Sequence, residues 1–167
     1  LKSFVDGIKT IKDEHNETFN KIIIFKSEIH VISFINSSFC YFKKYKFGSD
    51  LIINDISKVC SLNSENINKI ISSYNFDNIE SLKENCIDKK FFDNQNFRKI
   101  SLDLLFSVAL SRIEEINDII FNKNNSINLE TKKNQLYLYL EDNTLNNLQN
   151  VIKKNLQHVS LSNIKSK

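Results

Sequence analysis

The sequence predicts a sheet domain of the α/β or α+β kind, with a helical insertion between its strands. Three observations carry this. Three β-branched and aromatic runs follow one another within residues 19–47, helical periodicity then takes over up to residue 121, and the alternating strand Leu-Tyr-Leu-Tyr-Leu returns at 136–140. With 167 residues the chain fits a single domain, which typically holds ~100–200 residues.

The elements follow in order. Leu1, Phe4, Val5, Ile8 and Ile11 recur at helical spacing, so residues 1–17 read as a helix. Phe19–Phe25 contains Ile22, Ile23 and Ile24 without interruption, as in a strand covered on both faces. Glu28–Ile35 is a second strand. Phe39–Phe47 is a third, with Phe39, Tyr41, Tyr45 and Phe47 expected on one face and Lys44 and Lys46 on the other. The Asn36-Ser37-Ser38 turn joins the last two, so two successive antiparallel pairings are expected. After Gly48-Ser49 the period changes: Ile52, Ile53, Ile56 and Val59 form one stripe of a helix over Asp50–Cys60. Ser64 is the expected N-cap of a second helix, Glu65–Tyr74. Asn75–Asn96 shows little periodicity and reads as a loop or small insertion. Ser101–Phe121 is the clearest helix, with Leu102, Leu105, Phe106, Ala109, Ile113, Ile116 and Ile120 on one face. A polar linker, Asn122–Asn134, leads to the strand Gln135–Leu140. Asp142 or Thr144 is then expected to cap a helix through Leu145, Leu148, Val151, Ile152 and Leu156, and the polar tail Ser160–Lys167 is expected to fray.

Composition excludes several classes. Apolar residues at 41% and aromatics at 11% supply a core and argue against disorder. Two glycines and no proline exclude collagen-like and low-complexity chains. Ile 24, Asn 24 and Lys 21 dominate; all three have A/T-rich codons, so the Asn-rich stretches reflect base composition rather than binding. A net charge of +3 is spread among 23 bases and 20 acids, without the clustered basic stripe that nucleic-acid binding asks for. Cys40, Cys60 and Cys86 are widely spaced and form neither a zinc motif nor a disulfide framework, which fits reduced thiols in the cytosol. The longest nearly apolar run, Leu102–Leu110, is far short of the ~20 residues of a membrane span. The chain starts at Leu1 and holds no Met, so it is expected to be a piece of a longer protein. His15, His30 and His158 have no acid or Cys at ligand spacing, and the adjacent pairs Asp13-Glu14 and Glu114-Glu115 point in different directions on a helix. No GxSxG, P-loop or GxGxxG is present, so no enzyme chemistry and no metal site is expected.

The segment Tyr45-Lys-Phe-Gly48-Ser49-Asp50-Leu-Ile-Ile-Asn54-Asp55-Ile56-Ser57-Lys58-Val59 resembles the cell-division protein FtsA family, in which a Gly-Gly turn after a strand precedes a helix written roughly hxTxDIAxxL. Helix 3–17 resembles the family's segment before the first strand of the second lobe. Arg98–Leu105 through Ser111–Ile116 resembles its long helix with an aRxeEi core, and Gln135–Leu148 its adenosine-binding strand, turn and helix. The resemblance runs over roughly residues 3–150. It implies an actin-like, ribonuclease-H-like lobe: a mixed sheet of a three-strand meander plus a later parallel strand. The core would be residues 1–48 and 122–158 and the helical insertion 49–121.

The departures bear on function. The family's DxGxxT turn, whose glycine lets backbone approach phosphate, is replaced by Ile23-Ile-Phe25-Lys-Ser-Glu28. Gly-Gly has become Gly48-Ser49, and the Gly-rich adenosine turn has become Leu140-Glu-Asp142-Asn-Thr144. Gly48, Ser49, Asp142 and Thr144 are thus the remains of a nucleotide site. ATP with Mg, the family's cofactor, is expected to bind weakly or not at all.

The resemblance implies a scaffold that tethers FtsZ to the inner membrane face and recruits other division proteins, with possible self-association and no direct membrane contact from this piece. The FtsZ tail is acidic and apolar, so its site must be basic. Arg98 and Arg112, the only two arginines, lie fourteen residues apart where the family has Arg. Both are expected on the exposed side of the long helix, ~21 Å apart, with Lys58 and Lys69 extending the surface. Two other functions remain open: a working ATP-binding lobe of an actin-like or chaperone-like ATPase, and an unrelated α/β interaction domain.

Overall fold

The structure, a computed structural model, describes residues 18–36, 38–76, 79–93, 96–123, 135–141, 143–159 and 164–166. The expected helix at 1–17, most of the 122–134 linker and Asp142 lie outside the described residues.

The first three strands are β1 (Phe19–Ile24), β2 (Ile29–Ile35) and β3 (Ser38–Tyr45). They form the expected antiparallel meander, with Phe19 opposite Phe34 and Val31 opposite Lys43. Strand β4 (Gln135–Leu140) pairs parallel to β1. A fifth strand, β5 (Ile164–Ser166), pairs parallel to β4, where the sequence suggested only a fraying tail. The sheet order is β3-β2-β1-β4-β5. A three-residue strand in a polar tail carries no periodicity of its own; its partner strand supplies it.

Between β3 and β4 the chain is helical. Helix α1 spans Ser49–Cys60 and α2 spans Ser64–Ser73; a short α3 (Ile79–Glu84) and a 3-10 turn (Lys89–Phe91) follow. Helix α4 (Leu102–Asn117) continues into a π turn over Asp118–Asn122. After β4, a 3-10 turn (Asn143–Leu148) runs into α5 (Gln149–Val159), so the last helix starts later than its hydrophobic spacing suggests. Ser101 caps α4 by accepting from the Leu104 N–H at 3.2 Å. The cap of α2 is Asn63, one residue before the expected Ser64; its side chain accepts from the Asn66 N–H at 2.7 Å.

One core joins the sheet to these helices. It takes Ile22 and Ile24 of β1, Ile29 and Val31 of β2, and Leu136 and Leu138 of β4. Against them lie the apolar stripes of α1, α2, α4 and α5. The segment 75–96, expected to be a loop or small insertion, carries short helical turns and sends Phe76, Leu82, Ile87, Phe91 and Phe92 into the core. Their irregular spacing hides them from any periodic pattern. Ile87 N–H donates to the Ile100 carbonyl, fastening the segment to the start of α4.

The other face of the sheet carries a smaller cluster of Phe19, Ile32 and Phe34, with Phe19 stacked on Phe34 at 4.6 Å. Here β3 departs from simple alternation. The register slips between Ser33 and Phe34, so that Tyr41 faces Ser33 while Phe39 faces Phe34 and Cys40 is the extra residue. The bulge re-aims the strand. Phe39 therefore joins Phe42 and Lys44 on the second face, against Phe34, Ile32 and His30, while Tyr41, Tyr45 and Phe47 lie on the main core. The expected common face for Phe39 and Tyr41 is lost for this reason.

Candidate functional site

Two regions hold the residues singled out by sequence. The first lies at the carboxyl ends of the parallel strands β1 and β4, where open α/β sheets place their ligands. Three segments meet there. The Glu141 N–H donates to the Ile24 carbonyl, bringing the end of β4 beside the end of β1. The β1–β2 turn, residues 25–28, follows directly. The start of α1 docks onto that turn: Ser49 N–H donates to the Phe25 carbonyl at 3.0 Å and Asp50 N–H to the Lys26 carbonyl at 2.9 Å.

The first N–H groups of a helix have no intrahelical partner and form a natural phosphate cradle. In α1 two of them are already consumed by the turn. Gly48 permits this approach. A Cβ there would sit against the Phe25 carbonyl oxygen, 2.6 Å from the Glu28 nitrogen and 2.7 Å from the Lys26 oxygen. Gly48 thus permits backbone-to-backbone packing. The space left beside Gly48, Ser49 and Asn117 is a cavity of about 10 Å³, room for a single water at most. Ser49 is fully buried. Thr144 lies half-buried in the 3-10 turn after β4, at the same end of the sheet. Charge at this end is mixed: Lys44 and His30 both engage Glu28, and the Lys44 ammonium beside it holds its carboxyl below the ordinary value.

The second region is the seam between α1 and α4, which run antiparallel. Arg112 on α4 donates from Nε to Asp55 of α1 and from Nη1 to Glu115. An open groove of about 320 Å³ lies there, lined by Asp55, Ser107, Val108, Ser111, Arg112 and Glu115. Val59, one turn beyond Asp55 on α1, and Leu104, about two turns before Arg112 on α4, remain 52% and 43% exposed. Lys58 is exposed on the last turn of α1.

Arg98 is not where the sequence suggested. It precedes α4, in the irregular segment before Ser101, and does not project from the helix. Its Nη2 donates to the carbonyls of Cys60 at 3.2 Å and Ser61 at 3.0 Å. These are end carbonyls of α1, left without helical partners, and a cation there also meets the negative end of the helix dipole. The two arginines therefore mark opposite stretches of one seam rather than one helix face. Lys69 stands apart on α2, bonded to Glu65 at 2.9 Å, and that carboxylate raises its pKa. Sequence reading missed Asp55 as the partner of Arg112, and Val59 and Leu104 as exposed apolar residues. Only the fold brings positions 55 and 112 together.

Among the described residues no group of His, Cys, Asp or Glu is placed to hold a metal ion, and no helix is long and apolar enough to cross a membrane.

No family model matches the chain, and no curated protein matches it significantly. Solved structures do. The ethanolamine utilization protein EutJ from Carboxydothermus hydrogenoformans aligns over 95% of this chain and 46% of its own, at 8% identity and a TM-score of 0.55. The PilM-PilN type IV pilus biogenesis complex aligns over 98% and 39%, at 10% identity and 0.57. A non-polymerisable quadruple mutant of pCBH ParM aligns over 92% and 42%, at 11% identity and 0.57. The chain thus spans less than half the length of each of these structures. At such identities the likeness speaks of fold alone, and together with the strand order it shows that this chain has the fold of an actin-like, ribonuclease-H-like ATPase lobe.

Proposed function

We propose that this lobe is a protein-docking module of an FtsA-like division scaffold. In this reading it holds the carboxy-terminal tail of FtsZ at the α1–α4 seam, recruits other division proteins, and does no nucleotide chemistry of its own. In the longer protein it would work in the cytoplasm at the inner membrane face.

The observation that carries this reading is the seam itself. It combines a surface groove, two exposed apolar side chains and cations at both ends. An acidic, apolar segment fits that combination: its aliphatic side chains cover Val59, Val108 and Leu104, and its carboxylates meet Lys58 and Arg112. Arg112 is already bonded to Asp55 and Glu115. An incoming carboxylate therefore exchanges for one of these rather than adding a new pair, which favours modest affinity and rapid release. The closed start of α1 supports the second half of the reading, because a phosphate finds no open N–H cradle there.

The test is a titration of the 167-residue chain with an FtsZ tail peptide, followed by anisotropy. Saturable binding that weakens at least tenfold in Arg112→Glu, and rises with salt removal, is expected. Unchanged binding in Arg112→Glu and Lys58→Glu removes the seam as the site. No binding at all removes the partner.

A further inference from the structure

Six large apolar side chains are exposed among the described residues, and three of them, Val59, Phe97 and Leu104, fall at one corner of the fold. That corner is where α1 ends and α4 begins. Arg98 ties it together. Its Nη2 donates to the carbonyls of Cys60 and Ser61, directly after Val59, and three residues further on Ser101 caps the turn that carries Leu104. Phe97 immediately precedes Arg98. Its ring stands edge-on to buried Phe92 at 5.1 Å, yet Phe97 itself is 49% exposed. The core thus holds the ring in place while half of it faces water. Single exposed apolar residues are ordinary; three gathered at one corner mark a contact surface.

The same corner carries uncompensated positive charge. Lys58, Arg98 and Lys99 are all exposed. Among the described residues neither lysine has an ion pair, and Arg98 makes no bond through Nε or Nη1. Of the acids near them in the chain, Asp55 is bound to Arg112 and Asp93 acts on Lys69 of α2, which leaves Asp103 on the first turn of α4. Arg112, in the groove, is by contrast already matched by Asp55 and Glu115. The free positive charge of the seam therefore lies at this end, beyond the residues that line the groove.

We infer that a partner segment docked at the seam runs past the groove onto this corner, where Phe97 is its apolar anchor and Lys99, with the outer edge of Arg98, receives a carboxylate. This rests on the seam being a docking site for an acidic, apolar segment. It adds the chemistry such a segment must carry: an aliphatic or aromatic side chain with an acid close to it in sequence. An aromatic ring already held by the core loses little freedom when it is covered, and a few such anchors carry most of the energy of an interface. The cations around it select by sign, since a basic segment is repelled there.

The experiment is the FtsZ tail titration of the 167-residue chain, extended to Phe97→Ser, Lys99→Glu and a peptide whose apolar residues are replaced by serine. Arg98 is left intact because it closes the end of α1. Phe97→Ser should weaken binding about tenfold or more. The serine peptide should lose as much, and the two losses should not add, because they remove one contact. Lys99→Glu should weaken binding several-fold, by an amount that shrinks as salt is added. Its side chain is exposed, so this variant keeps the wild-type melting curve and decides the matter even where Phe97→Ser fails to fold. Binding that weakens in Arg112→Glu but not in Phe97→Ser or Lys99→Glu overturns this inference and leaves the seam standing as the docking site. Additive losses in the cycle place Phe97 outside the contact and overturn it too. No binding by the wild-type chain overturns both.

Discussion

The backbone N–H of Ser49 donates to the carbonyl oxygen of Phe25, and this bond turns the start of α1 into an internal joint. The neighbouring Asp50–Lys26 bond does the same one residue on. Both require the missing side chain of Gly48. Gly48→Ala would drive a Cβ into three backbone atoms that no rotamer change can move aside. Such overpacking costs about 1–3 kcal/mol, and in a domain of this size each kcal/mol lowers the melting temperature by about 2–4 °C. Thermal denaturation followed by circular dichroism should show a loss within or above that range.

The same joint predicts the response to nucleotide. A ligand that binds only the folded state raises its melting temperature. Millimolar ATP with Mg should leave the melting curve of this chain unshifted. A reproducible upward shift would show that the lobe still offers phosphate an opening.

The end of α1 offers a second, coupled pair of predictions. Ser61 holds a left-handed backbone, with φ 47°, and its N–H and that of Leu62 reach back to Lys58 and Ser57. A glycine is the natural residue for this position. Ser61→Gly should therefore stabilise by about 0.5–1 kcal/mol. Arg98→Ala, which strips the donors from Cys60 and Ser61, should destabilise by about 1 kcal/mol. Because both act on the same turn at the end of α1, the double variant should depart from additivity. Urea unfolding midpoints measure all three.

At the seam, Asp55 and the proposed partner compete for one guanidinium. Asp55→Asn should raise the affinity for an acidic tail peptide several-fold by freeing Arg112, and Arg112→Glu should lower it. The same-direction change in both variants would mean that Arg112 supports the fold and not the partner. Melting curves of the two variants, run beside the titration, separate these cases.

Alkaline stability should depend on Cys60. Burial pushes its thiol above the ordinary value of 9.0. A folded state that favours the neutral thiol is fully stabilised below that value and loses the contribution as pH rises past it. Burial raises Tyr74 and Tyr139 in the same way, with onset near 10. Urea midpoints should fall first above pH 9, and Cys60→Ala should flatten that first decline. Toward acid, Glu28, held low by Lys44, gives up its contribution as pH drops below its unfolded value of about 4.5.

Much of this architecture is legible in the chain. The three-isoleucine run of β1, the Leu-Tyr alternation of β4 and the long stripe of α4 each announce themselves, because burial imposes a period on them. What escaped is aperiodic. The bulge at Cys40 inserts one residue and shifts everything before it to the other face, and no pattern in Phe39–Phe47 marks it. Phe76, Leu82, Ile87, Phe91 and Phe92 fill the core from a segment without a repeat. The site was readable only as a loss. Missing glycines set this turn apart from the family's phosphate loop, but gave no sign that the Phe25 and Lys26 carbonyls accept from the start of α1. Nor could spacing reveal that Arg98 closes one helix while Arg112 ties α4 to Asp55.

The parallel pairing of β1 with β4 has a consequence for how the chain is made. The meander of β1, β2 and β3 is complete by residue 45, but β4 is not synthesised until residue 135. At about 5–20 residues per second, the inner edge of β1 waits roughly 5–20 s for its neighbour. That edge reads Phe-Asn-Lys-Ile-Ile-Ile, and it stands open while the helices emerge. Its one charge is Lys21, whose ammonium in the folded chain lies 4.2 Å over the ring of Tyr139. The one charge of that waiting strand thus becomes, once β4 arrives, part of the finished sheet.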